Sequence, residues 1–343
     1  MKSIHLLKTG AVIPAFAVLT ACSSVADWSA SQQGPIDLLP ATQPSLPDYQ
    51  ATNDLTADMA GWLNTVRQTV GLPVLPIHKG VQQSAQDHAD YQVINHSNGH
   101  YEIRGRPGFT GSKPIERINA RHPSILAGEV NVYYTGYGPS VNPNGVQVIQ
   151  TLIDAPFHRI IMFSDFKMMG VGYDTDYKSR NIISHTGYNV DFTDYANTMN
   201  HNHLIAYPYA GQMNVPTGWY AMEDPNPFAN IPSLIGKTVG YPVTIQGAMT
   251  DHLVISSFKI ETAEGAKVPC YEIDAQKPQL GEHLRGAALC VPYKPLASGT
   301  EYIATVTGTK NDRSFSVRWS WTTSTSELLT ASSGARTVSA SHN

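Results

Sequence analysis

Ile153-Asp154-Ala155-Pro156-Phe157-His158-Arg159-Ile160-Ile161, running on through Phe166 to Met169-Gly170-Val171-Gly172-Tyr173, decides how this chain is read. The first residues close an amphipathic helix. Pro156 breaks it, because proline lacks a backbone donor and collides with the preceding turn. Met169 to Tyr173 has the apolar character of a buried strand. A His158-Arg159 pair between Phe157 and Ile160 needs partners, since burying an unpaired polar or charged group is costly.

Working outward, Asn142-Pro143 suits the N-cap and first position of the helix, whose inward residues are Val146, Ile149, Leu152 and Ile153. Leu126 to Tyr134 is apolar and β-branched around Gly128-Glu129. Three strands are predicted downstream, over Met168–Tyr173, Arg180–His185 and Tyr188–Phe192. Upstream, Asp54 or Thr56 caps a helix carrying Met59, Leu63, Val66 and Val70, ended by Gly71 and Pro73. A second helix shows Val81, Ala85, Ala89 and Val93 at helical spacing. His88 lies near that face and reads as a satisfied core or boundary histidine. Residues 95–111 are loop-like, and 113–121 form a short helix with Ile115 and Ile118 inward. Helices come first and strands last, which is an α+β pattern for residues 53–195.

Residues 196–232 contain five prolines and read as a linker. His201-Asn202-His203 lies there and reads as ordinary loop residues rather than a metal pair. From about Leu234 the pattern changes to short alternating runs (Val243, Ile245; Phe258, Ile260; Phe315, Val317, Trp319, Trp321), separated by turn residues. That argues an all-β sandwich over 233–325. The Ser/Thr/Ala-rich stretch 326–343 reads as a disordered tail.

An apolar content of 41% with 15% charged residues describes a globular chain. At the N-terminus, Lys2 and Lys8 precede a short apolar core, Ala11 to Leu19, too short to span a bilayer. Leu19-Thr20-Ala21-Cys22 resembles the bacterial lipobox. The resemblance implies removal of residues 1–21, lipid on Cys22 and anchorage in a membrane; Ser23 after the cysteine implies the outer membrane of a Gram-negative envelope. Residues 22–52, rich in Ser, Gln and Pro, read as a flexible tether. Without Lys2 and Lys8 the net charge moves from −4 to about −6, which argues against a nucleic-acid partner. Cys270 and Cys290 are left as a pair, expected as a disulfide worth roughly 3 kcal/mol in the chain-entropy picture.

Residues 53–195 resemble the CAP superfamily, also called the SCP or pathogenesis-related-1-like domain, in its bacterial form. The resemblance rests on an ordered set: Leu63-Asn64-Thr65-Val66-Arg67, Gly71-Leu72-Pro73-Val74-Leu75, Ala85-Gln86-Asp87-His88-Ala89, His100, Ala127-Gly128-Glu129, Pro156-Phe157-His158-Arg159 and Val171-Gly172-Tyr173. It implies an α-β-α sandwich. The segment beyond is similar to bacterial Ig-like modules, on Pro295 to Tyr302 and Trp319-Ser320-Trp321-Thr322-Thr323. The resemblance further implies a cleft with two histidines and two acids. By motif these are His100, His158, Glu129 and, best placed, Glu116, with Glu102 competing for the last role. Gly128-Glu129-Val130 stands where the family usually has Gly-Glu-Asn, with an asparagine only at Asn131. The cleft is therefore expected to lack the hydrogen bonds of that amide.

Two imidazoles and two carboxylates permit weak binding of Zn²⁺ or another divalent cation through His100 and His158, acid–base chemistry, or plain charge pairing. No Gly-x-Ser-x-Gly elbow, His-Glu-x-x-His run or nucleophilic cysteine occurs in this part of the chain. The favoured reading is an envelope-anchored module binding a small apolar, sterol-like or cell-wall ligand. The alternative is a metal-assisted, peptidase-like hydrolase using His100, His158 and the glutamates.

Overall fold

The computed structural model describes residues 34–136, 143–176 and 183–325, and the backbone of 336–342. Cys22 and the leader lie outside the described residues, as do Asn142 and residues 180–182.

Asp54 caps the first helix, α1 (Leu55–Thr69), its carboxylate accepting from the Ala57 amide at 3.1 Å. Met59, Leu63 and Val66 form its fully buried stripe. The second helix, α2 (Lys79–Asn95), ends on His96, whose backbone is left-handed at φ 49°. A short helix, α3 (Pro114–Asn119), carries Pro114 at its start. The helix expected from Asn142 begins two residues later: α4 (Gly145–Asp154) is capped by Asn144 in a reciprocal box with Gln147. Pro156 breaks the helix but also starts another, α5 (Pro156–Met162), because proline is tolerated where no intrahelical donor is needed.

The long strands β2 (Ala127–Gly136), β3 (Phe166–Thr175) and β4 (Ser184–Tyr195) pair antiparallel in the order β2-β4-β3. One continuous β4 covers His185 and the strand expected at Tyr188–Phe192. Side chains alternate across the sheet. Val130, Val132, Met169, Val171, Val190 and Phe192 fill the face toward α1, α4 and α5. The opposite face carries Glu129, Asn131, Asn189, Asp191, Gly170, Gly172 and Gly187, and α2 lies on it. The glycines let the helix backbone approach: a Cβ on Gly170 would sit 2.2 Å from the Gln82 nitrogen, and one on Gly172 would sit 2.3 Å from the Ala85 carbonyl carbon. The result is the expected α-β-α sandwich.

The remaining strands build an all-β region in several sheets. The stretch expected as a linker supplies β5 (His203–Tyr207), β6 (Gln212–Val215) and β7 (Gly218–Tyr220). They are followed by β8 (Thr238–Gly240), β9 (Val243–Gln246), β10 (Leu253–Thr262), β11 (Cys270–Ile273), β12 (Ala287–Pro292), β13 (Glu301–Lys310) and β14 (Arg313–Thr323). The expected tether is also ordered where described: β1 (Asp37–Leu38) pairs in parallel with β5, and Ile36 is buried. The sheets run β1-β5-β9-β12-β11 and β10-β13-β14-β6, with β7-β8 apart. Proline-rich spacing suggested a linker, but Leu204, Ile205, Ala206 and Val215 are apolar and complete the β core. Cys270 and Cys290 are joined, Cα atoms 5.5 Å apart, linking β11 to β12. The tail is not wholly without structure either: the backbone of β15 (Arg336–His342) pairs antiparallel with β2, His342 opposite Gly128. An edge strand with free donors and acceptors invites such pairing.

Arg159 locks the two halves together. Buried on α5, it donates to the carbonyls of Ile153 (2.7 Å) and Pro242 (2.8 Å) and lies over the rings of Tyr207 and Tyr241. The oddity of a His-Arg pair in an apolar run is thereby explained for the arginine.

Candidate functional site

The polar face under α2 concentrates ionisable groups that have left water together. Glu129 and Asn131 come from β2, Asn189 and Asp191 from β4, Arg117 from α3 and His88 from α2; His100 and Glu102 sit on the loop after α2. His100 Nδ1 lies 2.6 Å from Glu129 Oε1. The other Glu129 oxygen accepts from the Arg117 guanidinium in a very short contact and from Asn189 at 3.3 Å. Arg117 also donates to the His100 carbonyl at 2.9 Å, so one cation holds both the carboxylate and the loop.

His88 and Glu102 form a second pair. The ring faces Glu102 Oε1 through Nδ1 and the Gly99 carbonyl through Nε2, each at 3.0 Å. Both partners are acceptors, so the ring is held between them. Glu102 Oε2 takes the Thr110 amide at 2.7 Å. The reading of His88 as a satisfied, buried histidine holds, but it is satisfied inside this cluster.

Electrostatics follow from that packing. Arg117, aided by His88 and the hydrogen bond from His100, holds the Glu129 carboxyl well below its ordinary value despite the opposing effect of burial. Burial, with Glu129 close by, pushes Asp191 well above the carboxylate range, so it keeps its proton. Burial pushes His100 below the ordinary imidazole value, against the pull of Glu129, and the nearby His158 adds to the lowering. Glu129 and Arg117 thus form a buried ion pair whose remaining atoms are engaged by Asn189 and the His100 carbonyl, the condition under which buried ions are tolerated.

His158 lies on α5. Its Nδ1 is 2.8 Å from Glu223 Oε2, and both side chains are fully buried. Burial raises the Glu223 carboxyl, while the bond to His158 lowers it in part. No local pattern pointed to Glu223: it is 65 residues from His158, in the stretch read as a linker.

The two site histidines share one feature. Each Nδ1 is committed to a carboxylate, so its proton lies there and Nε2 presents a lone pair. Both Nε2 atoms are buried and have no hydrogen-bond partner. A carboxylate-oriented imidazole with a bare second nitrogen is the arrangement that metal-binding histidines adopt. His100 reaches the surface at 5% exposure and His158 at 0%.

Glu116 is a correction. It is exposed, and its Oε2 accepts from the Ser112 amide at 2.8 Å. Successive helix residues point about 100° apart, so α3 cannot turn both Arg117 and Glu116 inward. Glu102 takes the buried acid position. The expected loss at Val130 is also corrected. Asn131, two residues beyond Glu129 and thus on the same face, donates its amide to Glu129 Oε1 at 3.3 Å.

Residues 62–190 match the family described as CAP, the cysteine-rich secretory protein family. Two solved structures are similar at 18% identity. One is an outer surface protein of Borrelia burgdorferi, with 43% of this chain and 96% of that one covered and a TM-score of 0.33. The other is an extracellular SCP-domain protein of Bacillus anthracis, with 43% and 45% covered and a TM-score of 0.30. This chain therefore spans less than half of the second protein. The curated proteins compared with it contain no match. No helix among the described residues is long and apolar enough to cross a membrane.

Proposed function

We propose that this chain, whose residues 62–190 match the CAP family, is a binding module of the cell envelope, anchored through lipid on Cys22. Its His100/His158 pair takes up a divalent cation such as Zn²⁺, and its ligand is a small apolar or cell-wall molecule. The observation that carries the metal reading is the pair of buried, unpartnered Nε2 atoms backed by Glu129 and Glu223. Imidazole nitrogens suit Zn²⁺, and two protein ligands leave positions for water or a ligand group. Tyr101 and Ile103, exposed at 62% and 54%, follow His100 directly and offer apolar contact.

Binding is favoured over hydrolysis by how the acids are used. Both oxygens of Glu102 and of Glu129 are engaged by His88, Thr110, His100, Arg117 and Asn189. Neither is left to take a proton from a water, which a general base must do.

The test is a zinc titration by calorimetry on the lipid-free 23–343 chain, beside the His100→Ala/His158→Ala double variant with its fold checked by circular dichroism. The double variant is expected to lose one equivalent of bound zinc. Equal stoichiometry in both proteins would remove the metal and turn the search to the apolar surface around Tyr101.

A further inference from the structure

The polar face of the sheet does not end at the buried cluster. Following β4 from Asp191 through Asn189 and Gly187, the next residue on the α2 face is His185, opposite Thr135. There α2 stops, and His96, its C-cap, lies flat on His185 with ring centroids 3.8 Å apart and planes 13° from parallel. Asp176, just beyond β3, turns toward both. Its Oδ1 accepts from the His185 amide at 2.6 Å, and its Oδ2 is 3.8 Å from His96 Nε2.

We propose that His96, Asp176 and His185 form a second cation site, separate from the His100/His158 pair, that takes a borderline divalent ion of the Zn²⁺ class and clasps the end of α2 to the β3–β4 hairpin.

Each residue offers one ligand atom, and the three atoms lie within 4.8 Å of one another. Two imidazoles and a carboxylate are a usual donor set for Zn²⁺, which leaves a fourth position for water. Ligand atoms about 2.0–2.2 Å from a tetrahedral ion lie roughly 3.4 Å apart, so the set must contract. His96 can supply that movement, because its side chain is 58% exposed. His185 is already oriented: Tyr133 Oη lies 2.7 Å from its Nδ1, which leaves Nε2 for the ion. The site also lies at the C-terminus of a 17-residue helix, where the macrodipole favours a cation.

The proposal is independent of the His100/His158 reading, and one set of titrations separates the two. Zinc chloride is titrated by calorimetry into the tag-free 23–343 chain and into His96→Gln, Asp176→Asn and the His100→Ala/His158→Ala double variant. His96→Gln and Asp176→Asn are each expected to weaken one class of zinc binding by about 100-fold, with that class intact in the double variant. Zinc should also raise Tm in the unsubstituted chain by more than in His96→Gln, since the ion ties two elements together. His96 is exposed and Asp176 half-buried, and circular dichroism checks that both variants keep the fold. Undiminished binding in either His96→Gln or Asp176→Asn overturns the three-ligand assignment.

Discussion

The two faces of the β2-β4-β3 sheet are buried to a similar depth and filled with opposite chemistry. Toward α1, α4 and α5 the sheet presents Val130, Val171, Val190 and Phe192, at most 2% exposed. Toward α2 it presents Glu129, Asn131, Asn189 and Asp191, all at 0%. The apolar face is held by area removed from water and tolerates modest changes of shape. The polar face is held by matched charges and named hydrogen bonds, and has no such tolerance. An alternating antiparallel strand usually shows its polar side to solvent. Here that side is covered by a helix, and the glycines at 170, 172 and 187 provide the room for it.

That contrast should be visible in denaturant unfolding. Glu129→Gln leaves the Arg117 charge buried without its main partner and is expected to cost about 3–5 kcal/mol. Val190→Ala, on the opposite face of the same sheet, should cost about 2–3 kcal/mol for lost burial and the cavity left behind. If the valine proves the more damaging, charge pairing is not what holds the α2 face. Gly172→Ala should cost about 1–3 kcal/mol, because its Cβ would run into the Ala85 backbone rather than a movable side chain. A smaller loss would mean that α2 can lift from the sheet.

The smallest effect is a slope. The folded Asp191 keeps a proton that the unfolded chain releases once the pH passes the ordinary carboxyl value. Folding therefore takes up a proton in that window. The stability contributed by this group falls as the pH rises from about 4 through the raised folded value, by at most about 1.4 kcal/mol per pH unit. Asp191→Asn has no such proton, so its stability relative to the unsubstituted chain should climb as the pH rises above about 4. Parallel pH curves would place the proton elsewhere in the cluster.

Much of the first half was legible because its signals are local. The Asp54 cap, the stripe Met59-Leu63-Val66, the Pro156 break and the alternation of β2 and β3 each depend on residues a few positions apart. His100, Glu129 and His158 were named from motifs, and all three are buried and paired. Glu116 was misplaced in favour of Glu102 because both acids follow His100 within a short span, and only the packing of Arg117 decides which one turns inward. Glu223 was missed because nothing near it marks an acid that must meet a histidine. The strands at 203–220 were missed because the prolines of the stretch outweighed three short runs that carry few apolar residues each.

By itself the sequence determined the order and kind of the main elements and the apolar stripes that drive them together. These follow from helical and strand periodicity, which neighbouring residues express whatever lies beyond them; the cysteine pair follows from counting, and His100, Glu129 and His158 were named from the family resemblance of their motifs. Only the tertiary structure decided which acid serves which histidine, that the tether and linker stretches complete a β core, and that a polar sheet face would be buried under α2. Such choices turn on desolvation and charge balance, which depend on what the chain brings close in space.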